Sequence, residues 1–167
     1  MLSKTLEKAL NDQVNKEYYS AFLYLSMSSY FESVNLLGMA AWMRTQYEEE
    51  VMHAIKIFDM IADMEGKVEL KSVEAPPVKF ESPLDVFTKT LEHERQVTGM
   101  INDIYSLARE ENNYAVQSAL QWFIDEQVEE EKSALEVVQQ LKMIGDETTP
   151  LLMLDNKLGS RELEPGA

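Results

Sequence analysis

Apolar residues recur at steps of three and four through four successive stretches of roughly 30 residues each, a periodicity that only helices can bury. The spacing predicts a first helix from Ser3, as N-cap, to about Glu32, and a second from just after Asn35 to about Glu65, where Gly66 stops it. Ser82-Pro83-Leu84-Asp85 opens a third with an N-cap serine, a proline at the first helical position and an acid in the first turn. That helix runs to about Glu111; Asn112-Asn113 separate it from a fourth, which ends at Gly145. Helices of this size are about 45 Å long, which is normal for a bundle and long for other globular domains.

The links decide the topology. Two are only a few residues long and make antiparallel hairpins. The third, residues 66–82, contains Val68, Leu70, Val73, Pro76, Pro77 and Val78 with no helical period. Extended, its ~17 residues reach ~55 Å, enough to travel the length of a helix and set the second and third helices parallel. The expected fold class is therefore all-α, a four-helix bundle over 1–145 with one long crossover, and 146–167 belongs to the same single domain. A short fifth helix at Pro150-Leu151-Leu152-Met153-Leu154 and Leu158 is too apolar for a solvated tail. It either folds back on its own bundle or packs against symmetry mates. Gly159 to Ala167 reads as a frayed tail.

Composition excludes several classes. Cysteine is absent, which removes disulfides, thiolate metal sites and a Cys nucleophile. The 15 Lys and Arg against 30 Asp and Glu leave a net charge of −15, which argues against nucleic acid and for cations as partners. No uncharged run approaches the ~20 residues that span a bilayer, so no membrane partner is expected. Lys4, Glu7 and Lys8 interrupt the first apolar residues, so no secretory leader and a cytoplasmic location are expected.

The inward stripes carry the main observation. The first helix aligns Leu10, Val14, Glu17, Ala21 and Tyr24; the second Met39, Met43, Glu50, His53, Ile57 and Ile61, with Gln46 or Tyr47 in the gap. The third aligns Leu84, Phe87, Leu91, Glu94, Thr98, Ile101 and Tyr105; the fourth Val116, Leu120, Phe123, Gln127, Glu130, Ala134, Val137 and Leu141. Near the middle of each, polar ligand-type residues replace apolar ones, and a crossover bundle brings those midpoints to one height. An ionised carboxylate buried without a partner costs several kcal/mol. No Lys or Arg sits in the stripes, so protonation or multivalent cations have to neutralise Glu17, Glu50, Glu94 and Glu130. Carboxylate-bridged di-metal bundles use one Glu from each of two helices and Glu-x-x-His from each of two others. Glu50-x-x-His53 supplies one such pair, and Gln127-x-x-Glu130 stands in place of the other. Oxygen-rich sites with one imidazole suit Fe or Mn better than Zn or Ca.

Across nearly its whole length, including the fifth helix, the chain resembles the non-haem bacterial ferritins of the ferritin-like di-iron carboxylate superfamily. Glu17, Tyr24, Glu50-Val51-Met52-His53, Glu94 and Gln127-Val128-Glu129-Glu130 carry the resemblance. It implies that Glu17 and His53 bind one iron, Glu50 bridges two, and Glu94 with Glu130 holds the second. Gln127 would orient water or an oxygen species, and Tyr24 would hydrogen-bond near the centre and donate an electron. A third iron site is implied at Glu49, Glu126 and Glu129. The implied activity is ferroxidase: Fe(II) oxidised by dioxygen or hydrogen peroxide, and ferric mineral stored in a homo-oligomeric shell of 24 subunits. Haem is not expected, because Val51 takes the position of the haem-ligating Met of bacterioferritins; the methionines read as core filler. Trp42 and Trp122 read as packing residues, Trp122 close to the site, and His93 as a surface histidine.

Two other classes compete. One is another di-metal enzyme on this bundle, a rubrerythrin-type peroxidase or a manganese catalase. The absent Cys-x-x-Cys module and the absent second His ligand weigh against these. The other is a 12-subunit mini-ferritin that protects DNA, which lacks a fifth helix.

Overall fold

The computed structural model describes residues 2–162 as five helices. They are α1 (Lys4–Ser33), α2 (Leu37–Asp63), α3 (Pro83–Glu110), α4 (Tyr114–Ile144) and α5 (Thr148–Leu158). Two start signals act as read, Ser3 accepting from the Leu6 amide and Ser82 from Asp85; Asn113, read only as part of a separator, also caps, accepting from Val116. The stops are subtler. Asn35, Glu65 and Asn112 take positive φ, and the amides that follow return to the carbonyls of Phe31, Ile61 and Ala108. Glu65, not Gly66, therefore makes the left-handed turn after α2. Gly66 is needed for space: a Cβ there would lie 2.8 Å from Ile61 Cγ2 and 2.9 Å from Leu2 Cδ1. The fifth helix starts at Thr148, two residues before the expected Pro150, since proline is tolerated in a first turn.

Cross-helix contacts fix the arrangement. Tyr24 meets Glu94 while Met27 meets Thr90, so α1 and α3 are antiparallel. Gln46 meets Glu130 while His53 packs on Phe123, so α2 and α4 are antiparallel as well. The crossover climbs α1: Asn11 binds Lys67 and Glu69, Asn15 binds Ser72, Ser26 binds Pro77, and Phe80 stacks on Tyr30. It covers about 28 Å of that helix and sets α3 parallel to α2.

The core is split. One apolar block gathers Met27, Phe31, Met39, Met43, Phe87, Val137 and Leu141; another gathers Leu6, Leu10, Ile57, Ile61, Ile101, Val116 and Leu120. A polar belt lies between them. The stripes on α1, α2 and α4 are buried as read, with Gln46 filling the gap on α2. On α3, Leu84, Thr98 and Tyr105 are only partly covered, and Val86, Thr90, Val97, Ile104 and Ala108 take the inward positions. Helix α5 folds back on α2 and α4, burying Leu154 and Leu158 while Leu152 and Met153 face outward. Among the described residues no helix is long and apolar enough to cross a membrane.

Two expectations need correction. The stretch from Gly159 does not begin as a frayed tail: a Cβ at Gly159 would fall 3.0 Å from the Gly38 Cα and Arg161 is docked on α2, while residues 163–167 lie outside the described residues. His93 is not a surface residue. It is half-buried, its Nε2 lies 2.7 Å from Ser20 Oγ, and its ring packs against Tyr19 and Tyr24. Burial, with a smaller effect of Lys16, pushes it down to about 4.

Candidate metal centre

Each helix delivers acid to the belt because each breaks its apolar stripe at mid-length. Glu17, Glu50, His53, Glu94, Gln127 and Glu130 are all at most 4% exposed. Glu17 Oε1 accepts from Gln13, one turn earlier on α1, at 2.8 Å. Glu94 receives the Tyr24 hydroxyl on Oε1 and Gln127 Nε2 on Oε2, the latter at 3.1 Å. Gln127 also reaches the Glu94 carbonyl and Thr98 Oγ1. Glu130 Oε2 accepts from Gln46 Nε2 at 2.9 Å.

Three atoms in this belt have no hydrogen-bond partner: Glu17 Oε2, Glu50 Oε2 and His53 Nε2. Buried polar atoms are rarely left so; Glu17 and Glu50 can share a proton between them, which ionised carboxylates cannot, and His53 Nε2 has no partner at all. Glu17, Glu50 and His53 offer ligand atoms within 4.8 Å of one another, as do His53, Glu126 and Glu130. The donor set is oxygen with one imidazole and fits iron. His53 packs edge-on against Trp122 at 5.4 Å and Phe123 at 6.0 Å, which fixes the plane of its ring.

The charge states follow from burial. Desolvation raises Glu17, Glu50 and Glu130 above the carboxylate range, Glu50 and Glu130 well above it, and the neighbouring carboxylates add to the rise in those two. Glu94 is pushed up to about 7 by burial, although Tyr24 and Gln127 oppose this. His53 is pushed down to about 4 by burial first and by Lys56 second. Its Nδ1 lies 3.5 Å from Glu50 Oε2, but a neutral imidazole makes no ion pair there. Tyr24 is driven well above its usual range by burial and by Glu94. Without metal, burial and mutual repulsion therefore favour the protonated forms of these acids.

A ferritin-like domain model matches residues 7–144. The bacterial non-heme ferritin of Staphylococcus aureus (strain USA300) is 38% identical over 164 residues, spanning 98% of this chain and 99% of that one. The chain belongs to the ferritin family. A second bacterial non-heme ferritin, from Staphylococcus haemolyticus, is likewise 38% identical over 98% of this chain and 99% of its own. Among solved structures, an open pore ferritin from Archaeoglobus fulgidus superposes on this ferritin with a TM-score of 0.96. It is 46% identical, covering 97% of this chain and 100% of that one. A humanized archaeal ferritin superposes at 0.97, with 44% identity and 99% and 100% coverage.

In this ferritin the structure brings Glu17, Glu50, Glu94, Glu130, His53, Gln127 and Tyr24 to one height. The three acids of the implied third site differ in their surroundings. Glu126 joins His53 and Glu130; Glu49 is buried against Arg161; Glu129 is exposed, and neither ligand triad contains Glu49 or Glu129. Gln13 and Arg161 escaped the sequence reading, and Gln46 was named with Tyr47 as a gap filler without a role. Gln13 sits four residues before Glu17 and could have been found by that spacing. Gln46 was legible only as a gap in the stripe. Arg161 lies beyond the last helix, where no periodicity points to it.

Proposed function

We propose that this ferritin is an iron-storage ferroxidase whose substrate pair is Fe(II) and dioxygen or hydrogen peroxide. The three partnerless ligand atoms on Glu17, Glu50 and His53 carry the reading. Glu17 and His53 take one Fe(II), Glu50 lies between two, and Glu94 with Glu130 takes the second. Two Fe(II) ions give up two electrons; one dioxygen takes them with two protons and leaves as hydrogen peroxide. The acids release their protons as metal enters, and the two protons that dioxygen takes up come from solvent. Gln127 orients water beside Glu94, and Tyr24 steadies Glu94 through its hydroxyl and donates an electron when one is short. Glu126, next to His53 and Glu130, is the first stop for departing ferric product, with Glu49 and Glu129 beyond it.

Residues 1–145, with 146–167 appended, act as one domain, and 24 copies enclose a cytoplasmic mineral store. The outward Leu152 and Met153 of α5, 52% and 70% exposed, and the net charge of −15 support a shell with apolar seams and an acidic lining. Glu50→Ala with His53→Ala should abolish rapid Fe(II) oxidation while the particle elutes at the mass of 24 subunits. Oxidation at the wild-type rate in that variant would refute the assigned centre, and a 12-subunit particle would refute the shell.

A further inference from the structure

The C-terminal arm reaches the polar belt. Gly38 lets α5 lie against the start of α2; a Cβ there would fall 1.8 Å from the Asp155 carbonyl oxygen. Asp155 in turn caps α2, its Oδ1 accepting from the Met39 amide at 2.8 Å. A Cβ at Gly159 would fall 3.0 Å from the Gly38 Cα, and the chain then lays Arg161 along one stripe of α2, Trp42, Gln46 and Glu49. The guanidinium stacks 4.5 Å from the Trp42 ring centroid, donates to Gln46 Oε1, and donates to Glu49 Oε2 at 2.7 Å. Gln46 passes the contact on to Glu130 through its own amide nitrogen. The Glu49 side chain is 2% exposed and that of Arg161 22%.

We propose that Arg161 is a tethered counter-cation that closes the Glu49 carboxylate to Fe(II), so that metal reaches Glu49 only by displacing the arm and the site fills after the pair. This rests on the two-ion reading above and adds an order to it. A guanidinium is a planar cation whose fork of donors matches a carboxylate, so it competes with a metal ion for the same oxygens. Glu17, Glu50 and His53 present atoms with no partner and no cation to evict, whereas Glu49 presents a charge already matched. The pair should therefore fill at low free metal and Glu49 only at higher concentration.

Anaerobic titration of the assembled protein with Zn(II) at pH 7, followed by calorimetry, tests this. Expected are two tight ions per chain and a weaker third. Arg161→Gln should tighten the third about tenfold, the scale of one lost charge-assisted contact, and leave the first two unchanged. Arg161→Lys should keep the third weak. In a Trp122→Phe background, Trp42 is the remaining tryptophan, and its emission should shift with the third ion and not with the first two. That reading needs no change at Arg161, so it stands even if Arg161→Gln fails to assemble. A third affinity unchanged in Arg161→Gln, or Trp42 emission blind to the third ion, overturns the proposal and leaves Arg161 as a clasp for α5. Fewer than two tight ions in both proteins refutes the pair itself, and the ordering falls with it.

Discussion

Loading the centre with metal should expel protons, and the structure sets their number. Burial first, then the neighbouring carboxylates, holds Glu50 and Glu130 well above the carboxylate range, which favours their protonated forms. Glu94, at about 7, carries half of one, and Glu17 is raised as well. His53, at about 4, has none to give. Ligation needs all four acids as carboxylates, so binding two ions should release roughly 2–3 protons per chain at pH 7. Four solvated carboxylates would release none. The measurement is a calorimetric titration of Zn(II) into metal-free protein in two buffers of different ionisation enthalpy, from which the proton count is read directly. Glu50→Gln, which cannot ionise, should lower the count by about one. At pH 6 the wild-type count should rise, because Glu94 is then protonated more fully. A count near zero at pH 7 would mean that the four acids are ionised before metal arrives, and the argument from burial would be refuted.

Metal-free stability should fall as pH rises from about 5 to 8. The acids have folded pKa values above their unfolded ones, so their contribution is complete below pH 4.5 and is lost as pH climbs through the folded values, about 3 kcal/mol for Glu94 alone by pH 7. His53 and His93 work in the opposite sense between about 4 and 6.5, which makes pH 6.5–8 the clean window for chemical denaturation; there Glu50→Gln should be more stable than wild type by about 1–3 kcal/mol and should gain less from Zn(II). Tyr24→Phe leaves Glu94 Oε1 without its donor and should cost about 1–3 kcal/mol of metal-free stability in the same assay, with a smaller loss once metal is bound. Gly38→Ala sets a methyl group against the Asp155 carbonyl and should destabilise by about 1–3 kcal/mol, with earlier melting and faster proteolysis between α4 and α5.

The bundle was legible because its signals are local and repeated. Ser3 and Ser82 start helices by their own side chains, and a stripe of four or more apolar positions identifies a face regardless of partners. Glu17, Glu50, His53, Glu94 and Glu130 were legible for the same reason inverted: acids standing where periodicity demands hydrocarbon. Features that depend on one helix meeting another were not. Nothing near Glu65 in sequence says that it, and not Gly66, takes the left-handed turn, since the need for a bare Cα at 66 comes from Leu2 and Ile61. His93 reads as exposed one step off its stripe, yet Ser20 and Tyr24 on α1 cover it. On α3 the read positions Phe87, Leu91, Glu94 and Ile101 are buried, and Val86, Thr90, Val97 and Ile104 widen the stripe beyond what its spacing shows. Arg161 is the extreme case, a residue defined by a docking event 112 positions away in sequence.

Hydrocarbon gathered at both ends and withheld from the middle gives the subunit the mechanics of a bridge set on two abutments. The span between needs no adhesion of its own, so it can afford groups that repel one another. Its width is settled by distant anchors before any cargo arrives. An arriving ion meets a socket of preset dimensions, and discrimination between ions of different radius becomes a property of the anchors as much as of the side chains that touch the ion.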